Sequence, residues 1–459
     1  MRNFISRILV GALLASTSVF GQARAPSTFQ IPVEYFKLPN GLRVVLSEDR
    51  TAPTVTVAVY YHIGFRIEPR DRSGFAHLFE HMMFQGSDNL GKMEFIKLVQ
   101  QNGGVLNGST RFDFTNYYEI VPSNKLETML WAEADRMHGL AVDQDNLTNQ
   151  QGVVSNEVRV NVLNRPYGGF PWLDMPQYAN VNWYNAHNFY GDLHDIEAAN
   201  LQDVKTFFKE YYAPDNAALV IVGDFNTGQA KEWATKYFGP VAATKRPAFP
   251  DISEPRQEKE KTASKVDPQA QRPALAFAYH MPKRNSPEYY AMGLLDQILI
   301  QGDDSLLYQE VVKKNGYTAS IEGGINLLGN MYNYDGPMLW IADLYHDQNV
   351  PAEKIMQAVD LVIERVRSQP LDKATLDRAL VKLRSGLYGE MENFGRADLL
   401  AAFALFDDDP ARINNLEAQF RMITPEILQK TAQEYLRSSN RTLLLIKPKP
   451  ASNDEKQGQ

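Results

Sequence analysis

Alternating apolar and polar runs along this chain repeatedly give way to stretches with apolar residues three and four apart, the periods of strands and amphipathic helices. VEYFKLPNGLRVVLSED predicts two strands around the turn Pro39-Asn40-Gly41, and TVTVAVYYHIG (54–64) a third, rich in β-branched and aromatic residues. Helical spacing follows over 73–86, with Ser73 placed to serve as N-cap, and over Met93 to Gln101, closed by Gly103-Gly104. VLNGSTRFDFTNYYEIV predicts two strands joined near Arg111–Asp113. Helices are expected over Lys125 to Leu140, Leu147 to about Asn164 and Ala199 to Tyr211, then an apolar strand over 217–225.

Residues 243–272 break this pattern. Pro and charged residues dominate, large apolar residues are scarce, and the stretch reads as an exposed interdomain linker. Beyond it the same order recurs: the strand ALAFAYHM, helices over Pro287 to Ile300 and Asp304 to Lys314, strands over Thr318 to Asn326 and Met338 to Leu344, helices over Ala352 to Arg367 and Lys373 to Asn393. The closing helix TPEILQKTAQEYL and strand RTLLLIKP parallel VKTFFKEYYAPDNAALVIVGDF at the end of the first unit. The expected class is α+β, with two duplicated units, each an antiparallel or mixed sheet with helices packed on one side.

The first 23 residues stand apart. Arg2 and Arg7 precede the apolar run Ile8 to Phe20, and Gly21-Gln22-Ala23 supplies small residues for cleavage, as in a signal peptide. The expected layout is a signal peptide over 1–23, a first unit over 24–242, the linker over 243–272 and a second unit over 273–459. No later stretch approaches eighteen uninterrupted apolar residues, so the expectation is a soluble exported protein, with a bacterial periplasm as its address. The absence of cysteine excludes a lipoprotein anchor and any disulfide. A net charge of −8 offers no electrostatic case for nucleic acid or an anionic membrane.

The candidate chemistry lies in SGFAHLFEHMMFQG, residues 73–86. His77 and His81 are one helical turn apart, and Glu80 points to nearly the same side. Two imidazoles and a carboxylate on one helix face suit a catalytic zinc, the rings binding the ion and the glutamate acting as general base. The order is His-x-x-Glu-His, the inverse of the more widespread His-Glu-x-x-His. The second unit carries no such motif, so only the first can hold a metal this way. A third ligand must come from another element. Glu157, in VVSNEVRV, lies 76 residues after His81 on a predicted helix, where spacing alone favours a solvated glutamate over a ligand.

GFAHLFEHMMFQGS (74–87), NGSTRFDFTNYY (107–118), VVSNEVR with NRPYG (153–168) and YYAPDNAALVIVGDF (211–225) together resemble the pitrilysin/insulinase family of zinc peptidases. The similarity is to the roughly 50-kDa bacterial members related to mitochondrial processing peptidase, and it implies half of a clam-shell chamber. It implies His77, His81 and Glu157 as ligands of one Zn2+ per chain and Glu80 as the base for water. It also implies that Asn107, Gly108, Ser109 and Thr110 form a sheet-edge strand to which substrate peptide adds as a further strand. Two departures stand out. Gln150 occupies a position near the metal where members often carry glutamate, and Val312 and Ala319 stand where many members carry an arginine and a tyrosine that bind substrate from the second unit. The resemblance thus implies an endopeptidase acting on peptides and unfolded chains as the metal-bearing subunit of a heterodimer, whose homologous partner brings the Arg/Tyr pair. A self-sufficient homodimer or monomer, and a non-catalytic binding or assembly subunit, are the alternatives. The other histidines (His62, His138, His187, His194, His280 and His346) are assigned no role in the site.

Overall fold

The computed structural model of the chain describes residues 30–449. The expected signal peptide and its cleavage site lie outside the described residues. Two mixed sheets carry the fold. The first holds β1 (Glu34–Lys37), β2 (Arg43–Glu48), β3 (Thr54–Tyr61), β4 (Val105–Thr110), β5 (Thr115–Pro122) and β6 (Ala217–Gly223), in the order β1-β2-β6-β3-β5-β4. The second holds β7 (Lys261–Asp267), β8 (Ala274–His280), β9 (Glu322–Ile325), β10 (Leu339–Tyr345) and β11 (Arg441–Pro448), in the order β7-β11-β8-β10-β9. Each contains a single parallel pair, β2 with β6 and β7 with β11, and all other neighbours are antiparallel.

The helices of the first half are α1 (Phe75–Met82), α2 (Glu94–Gln101), α3 (Leu126–His138), α4 (Gln144–Val158), α5 (Asp174–Ala179), α6 (Trp183–Ala186), α7 (Leu193–Ala198), α8 (Leu201–Tyr211) and α9 (Thr227–Phe238). Those of the second are α10 (Pro287–Leu299), α11 (Ala352–Ser368), α12 (Lys373–Glu390), α13 (Asn393–Phe406), α14 (Leu416–Arg421) and α15 (Pro425–Tyr435). Strand alternation divides the first sheet into two apolar faces. Val44, Leu46, Val57, Val59 and Ile221 pack under α1, α3, α8 and α9.

The opposite face is also covered. Val45, Ala58, Tyr60 and Val220 lie in one core with Leu399, Leu400 and Phe403 of α13, which comes from the second half. The second sheet is treated reciprocally: Ala276, Ala278, Ile341 and Leu444 pack against Phe170, Met175 and Ala179, in and around α5 of the first half. Helices of each sheet's own half therefore occupy one face, as expected, while a helix exchanged from the other half closes the second. Polar links reinforce the exchange. Tyr60 Oη donates to Asp398 Oδ1 at 2.9 Å, and Asp113 Oδ2 accepts from the amides of Asp335 and Gly336.

The duplication extends to single side chains. Asn216 Nδ2 donates to Tyr211 O and His62 O, and Asn440 Nδ2 donates to Tyr435 O and His280 O. Each asparagine thus ties a helix end to the end of a central strand just before the parallel strand begins.

Three expectations need correction. Residues 243–272 are not all linker, because Lys261–Asp267 form the edge strand β7, whose exposed alternate residues resemble linker in composition. Asp304 to Lys314 is mostly a π-helical segment, Tyr308–Lys314. Ser73 does not cap α1, since Gly74 occupies that position with φ 87° and makes no side-chain cap.

The exchanged helices make the two halves one cooperative unit. Replacing Asp398 by Ala leaves the buried hydroxyl of Tyr60 and amide of Asn333 without their acceptor. We expect a loss of about 1–3 kcal/mol in urea denaturation, with fluorescence and circular-dichroism transitions shifting together.

Candidate metal centre

Helix α1 packs against β4 and β5 on one side and α4 on another, and this sandwich builds the site. His77 and His81 project from α1 with ring centroids 5.1 Å apart. Glu157 enters from the last turn of α4, immediately before the π-helical turn Arg159–Leu163. Its carboxylate divides between the rings, Oε2 lying 3.2 Å from His81 Nε2 and Oε1 3.5 Å from His77 Nε2. One ligating atom from each of the three side chains falls within 4.8 Å of the others. Among the described residues this is the single cluster of three or more His, Asp or Glu side chains with such spacing.

Contacts with His77, then with His81, hold the Glu157 carboxyl well below the usual carboxylate range. It is therefore ionised, with two imidazole nitrogens turned toward it. His77 Nδ1 is buried and unpartnered, so the polar contact of that ring lies on its Nε2 side. Two nitrogens and a carboxylate, converging from two helices with Glu157 about 31% exposed, meet the donor requirement of zinc with one side left open.

Glu80 faces β4. Thr110 Oγ1 donates to Glu80 Oε2 at 2.7 Å and also lies 3.4 Å from Ala76 O. Thr110, the last residue of β4, has its side chain buried against α1. Asn107, Gly108 and Ser109 lie on β4, which pairs only with β5 among the described residues, leaving its other edge open. The Gly108 amide donates to Asn107 Oδ1 at 3.0 Å. Gln150 is buried on α4, two turns before Glu157. In the second half, Val312 is partly buried against the core and Ala319 is exposed, and neither offers a polar side chain.

Several supporting residues escaped the sequence reading. The buried carboxylate of Glu68 accepts from Gly74 N at 2.8 Å and Ala76 N at 2.6 Å, capping α1 where Ser73 was expected to do so. Burial raises the pKa of Glu68, against the lowering effect of His187, 3.8 Å away. Ser73 instead donates to Asp195 Oδ2 and accepts from the Asp192 amide, fastening the segment before α7 to the start of α1. Gly74 and Gly191 touch there. A Cβ on Gly191 would lie 2.5 Å from Gly74 Cα, and both residues have positive φ. Gln151 Nε2 donates to Ile196 O and Ala199 O, fixing α4 to the end of α7. Tyr190 lies in the segment before α7, with its ring 5.1 Å from the ring of His77. The acid in RIEPRDRSG was the available sign of Glu68, whereas Tyr190 had none in local spacing.

Residues 43–166 match the family model described as insulinase (peptidase family M16), and residues 198–383 match the one described as peptidase M16 inactive domain. The chain belongs to peptidase family M16, the pitrilysin/insulinase-type family. Among its relatives, the zinc protease PqqE of Helicobacter pylori is 27% identical over 455 residues, covering 98% of this chain and 100% of that one. The mitochondrial-processing peptidase subunit beta of Caenorhabditis elegans is 26% identical over 235 residues, 51% of this chain and 50% of the relative. The crystal structure of a protease from Helicobacter pylori has a TM-score of 0.84 at 26% identity, covering 91% of this chain and 100% of that one. The periplasmic protease PqqL from Escherichia coli, 15% identical, shares the fold with a TM-score of 0.72 over 92% of this chain and 48% of that one.

Replacing Glu68 by Ala orphans two amides at the head of α1. We expect a stability loss of about 1–3 kcal/mol and weaker metal retention on dialysis; an unchanged melting curve would show that water replaces the cap.

Proposed function

We propose that this chain is a zinc-dependent endopeptidase that hydrolyses peptides and unfolded polypeptides. The observation that carries the reading is the meeting of His77, His81 and Glu157 beside a glutamate held by Thr110 at the open edge of a sheet. His77, His81 and Glu157 would hold one zinc ion, and the ion would lower the pKa of a water to about 7 and polarise the scissile carbonyl. Glu80 takes the proton from the attacking water and delivers it to the departing amine. Thr110 fixes the carboxylate for both transfers. The open edge of β4 binds extended substrate through main-chain hydrogen bonds, which favours broad side-chain tolerance.

The layout supporting this reading has a metal-bearing unit that carries the first sheet and a homologous unit that begins at β7 and carries the second. Export is supported by the charged and apolar pattern of residues 1–23 and by the periplasmic relative of the same fold. Among the described residues no helix is long and apolar enough to cross a membrane. Val312 and Ala319 support a heterodimer whose second chain, itself without the metal motif, brings the missing arginine and tyrosine.

The test uses the chain purified after expression with zinc. Atomic emission should find about one zinc per chain. Glu80→Gln should keep the zinc and lose about 10²–10⁴-fold in cleavage of an unstructured peptide. Cleavage unaffected by Glu80→Gln would sink the base role, and a chain that takes up no zinc would sink the metallopeptidase reading. For the partnership, chains co-purifying from the native source should include a homologue that raises the rate; an isolated chain as active as the mixture would contradict it.

A further inference from the structure

Val312 and Ala319 offer no polar side chain, but the first half brings its own phenol beside His77. Tyr190 packs edge-on against His77, with ring centroids 5.1 Å apart and planes at 70°. Trp172 and Phe65 hold the other sides of its ring, at 5.5 and 6.3 Å. Its backbone is fixed as firmly as its ring. Asn188 Oδ1 accepts from the Tyr190 amide, Asn188 Nδ2 donates to Gly191 O, and the Gly191–Gly74 contact sets the turn against the start of α1. Such rigid support is what a preorganised hydrogen-bond donor requires.

A phenol is protonated at neutral pH, so the hydroxyl of Tyr190 is available as a donor. It is half-buried and has no hydrogen-bond partner of its own among the described side chains and backbone groups.

We propose that Tyr190 is a catalytic donor whose hydroxyl hydrogen-bonds the substrate carbonyl oxygen as negative charge builds there during peptide hydrolysis. This rests on the peptidase reading above. In the step, the water oxygen bonds to the carbonyl carbon and the carbonyl π pair moves onto oxygen, where the Tyr190 O–H donates without giving up its proton. Glu80 carries one of the water's protons to the amide nitrogen as the oxygen pair re-forms the carbonyl and the C–N bond breaks; the acid product passes its remaining proton to the amine, and the products are one carboxylate and one ammonium. The donor bond is stronger in the charged transition state than in the ground state, so it acts on turnover rather than on substrate binding.

Tyr190→Phe keeps the ring and removes only the donor. In the zinc-loaded chain, together with its partner if one co-purifies, we expect unchanged zinc content, unchanged KM and about 10–100-fold lower kcat. A phosphinic peptide, which mimics the tetrahedral state, should bind the variant at least about 10-fold more weakly by calorimetry, while the matching uncleaved peptide binds Glu80→Gln and Glu80→Gln/Tyr190→Phe alike. Unchanged kcat and phosphinic affinity in Tyr190→Phe would overturn the proposal and leave the peptidase reading intact. Loss of zinc in Tyr190→Phe would overturn it in favour of a role in holding the ligands. A parent chain that loads zinc yet neither cleaves peptide nor prefers the phosphinic ligand would overturn the peptidase reading itself, and the role of Tyr190 with it.

Discussion

The amides of Gly74 and Ala76 at the head of α1 have no partner within the helix, and the buried carboxylate of Glu68 takes both. That contact sets where the helix begins, and its start fixes the azimuth of every residue after it. One turn further on, His77, Glu80 and His81 inherit a common direction toward α4 and β4. A start displaced by one residue would rotate the three side chains by about 100° and dissolve the centre. The Ser73–Asp195 bond and the Gly74–Gly191 contact lock the same end from outside. The chemistry of the site thus depends on a carboxylate that takes no part in it.

The exchanged helices give this local geometry a rigid frame. Helix α13 closes the inner face of the first sheet and α5 that of the second, so neither sheet presents a bare apolar face. Arg66, buried with Asp113, anchors the β4–β5 turn, while the other oxygen of Asp113 binds amides of the second half. The edge strand beside Glu80 is consequently held by both halves. An open sheet edge exposed to water is a hazard for aggregation, and one kept open next to the candidate metal centre is consistent with the proposed use by extended peptides.

Much of this was legible in the chain. The four-residue spacing of His77 and His81 and the strand pattern around Tyr60 and Val220 are local signals, and the structure follows them. Glu157 was not legible from spacing, since its partners lie across a helix–helix contact and any exposed helix glutamate looks the same. Helix α13 and α5 were missed for a related reason. Each is covered by residues from the distant half, so the usual amphipathic signal is blurred or too short. Strand β7 was hidden by its exposed alternate positions. The bond from Thr110 to Glu80 joins β4 to α1, a pairing that strand alternation does not encode. Glu68 and Tyr190 act through contacts with residues 6 to 113 positions away, which no periodicity encodes.

X-ray absorption at the zinc edge of the purified chain tests the central claim most directly. The account expects two imidazole nitrogens at about 2.0–2.1 Å and carboxylate oxygen at about 2.0–2.2 Å, with one imidazole lost in His81→Ala and the oxygen shell altered in Glu157→Ala. A spectrum with no imidazole scattering, or one unchanged by both substitutions, would contradict it.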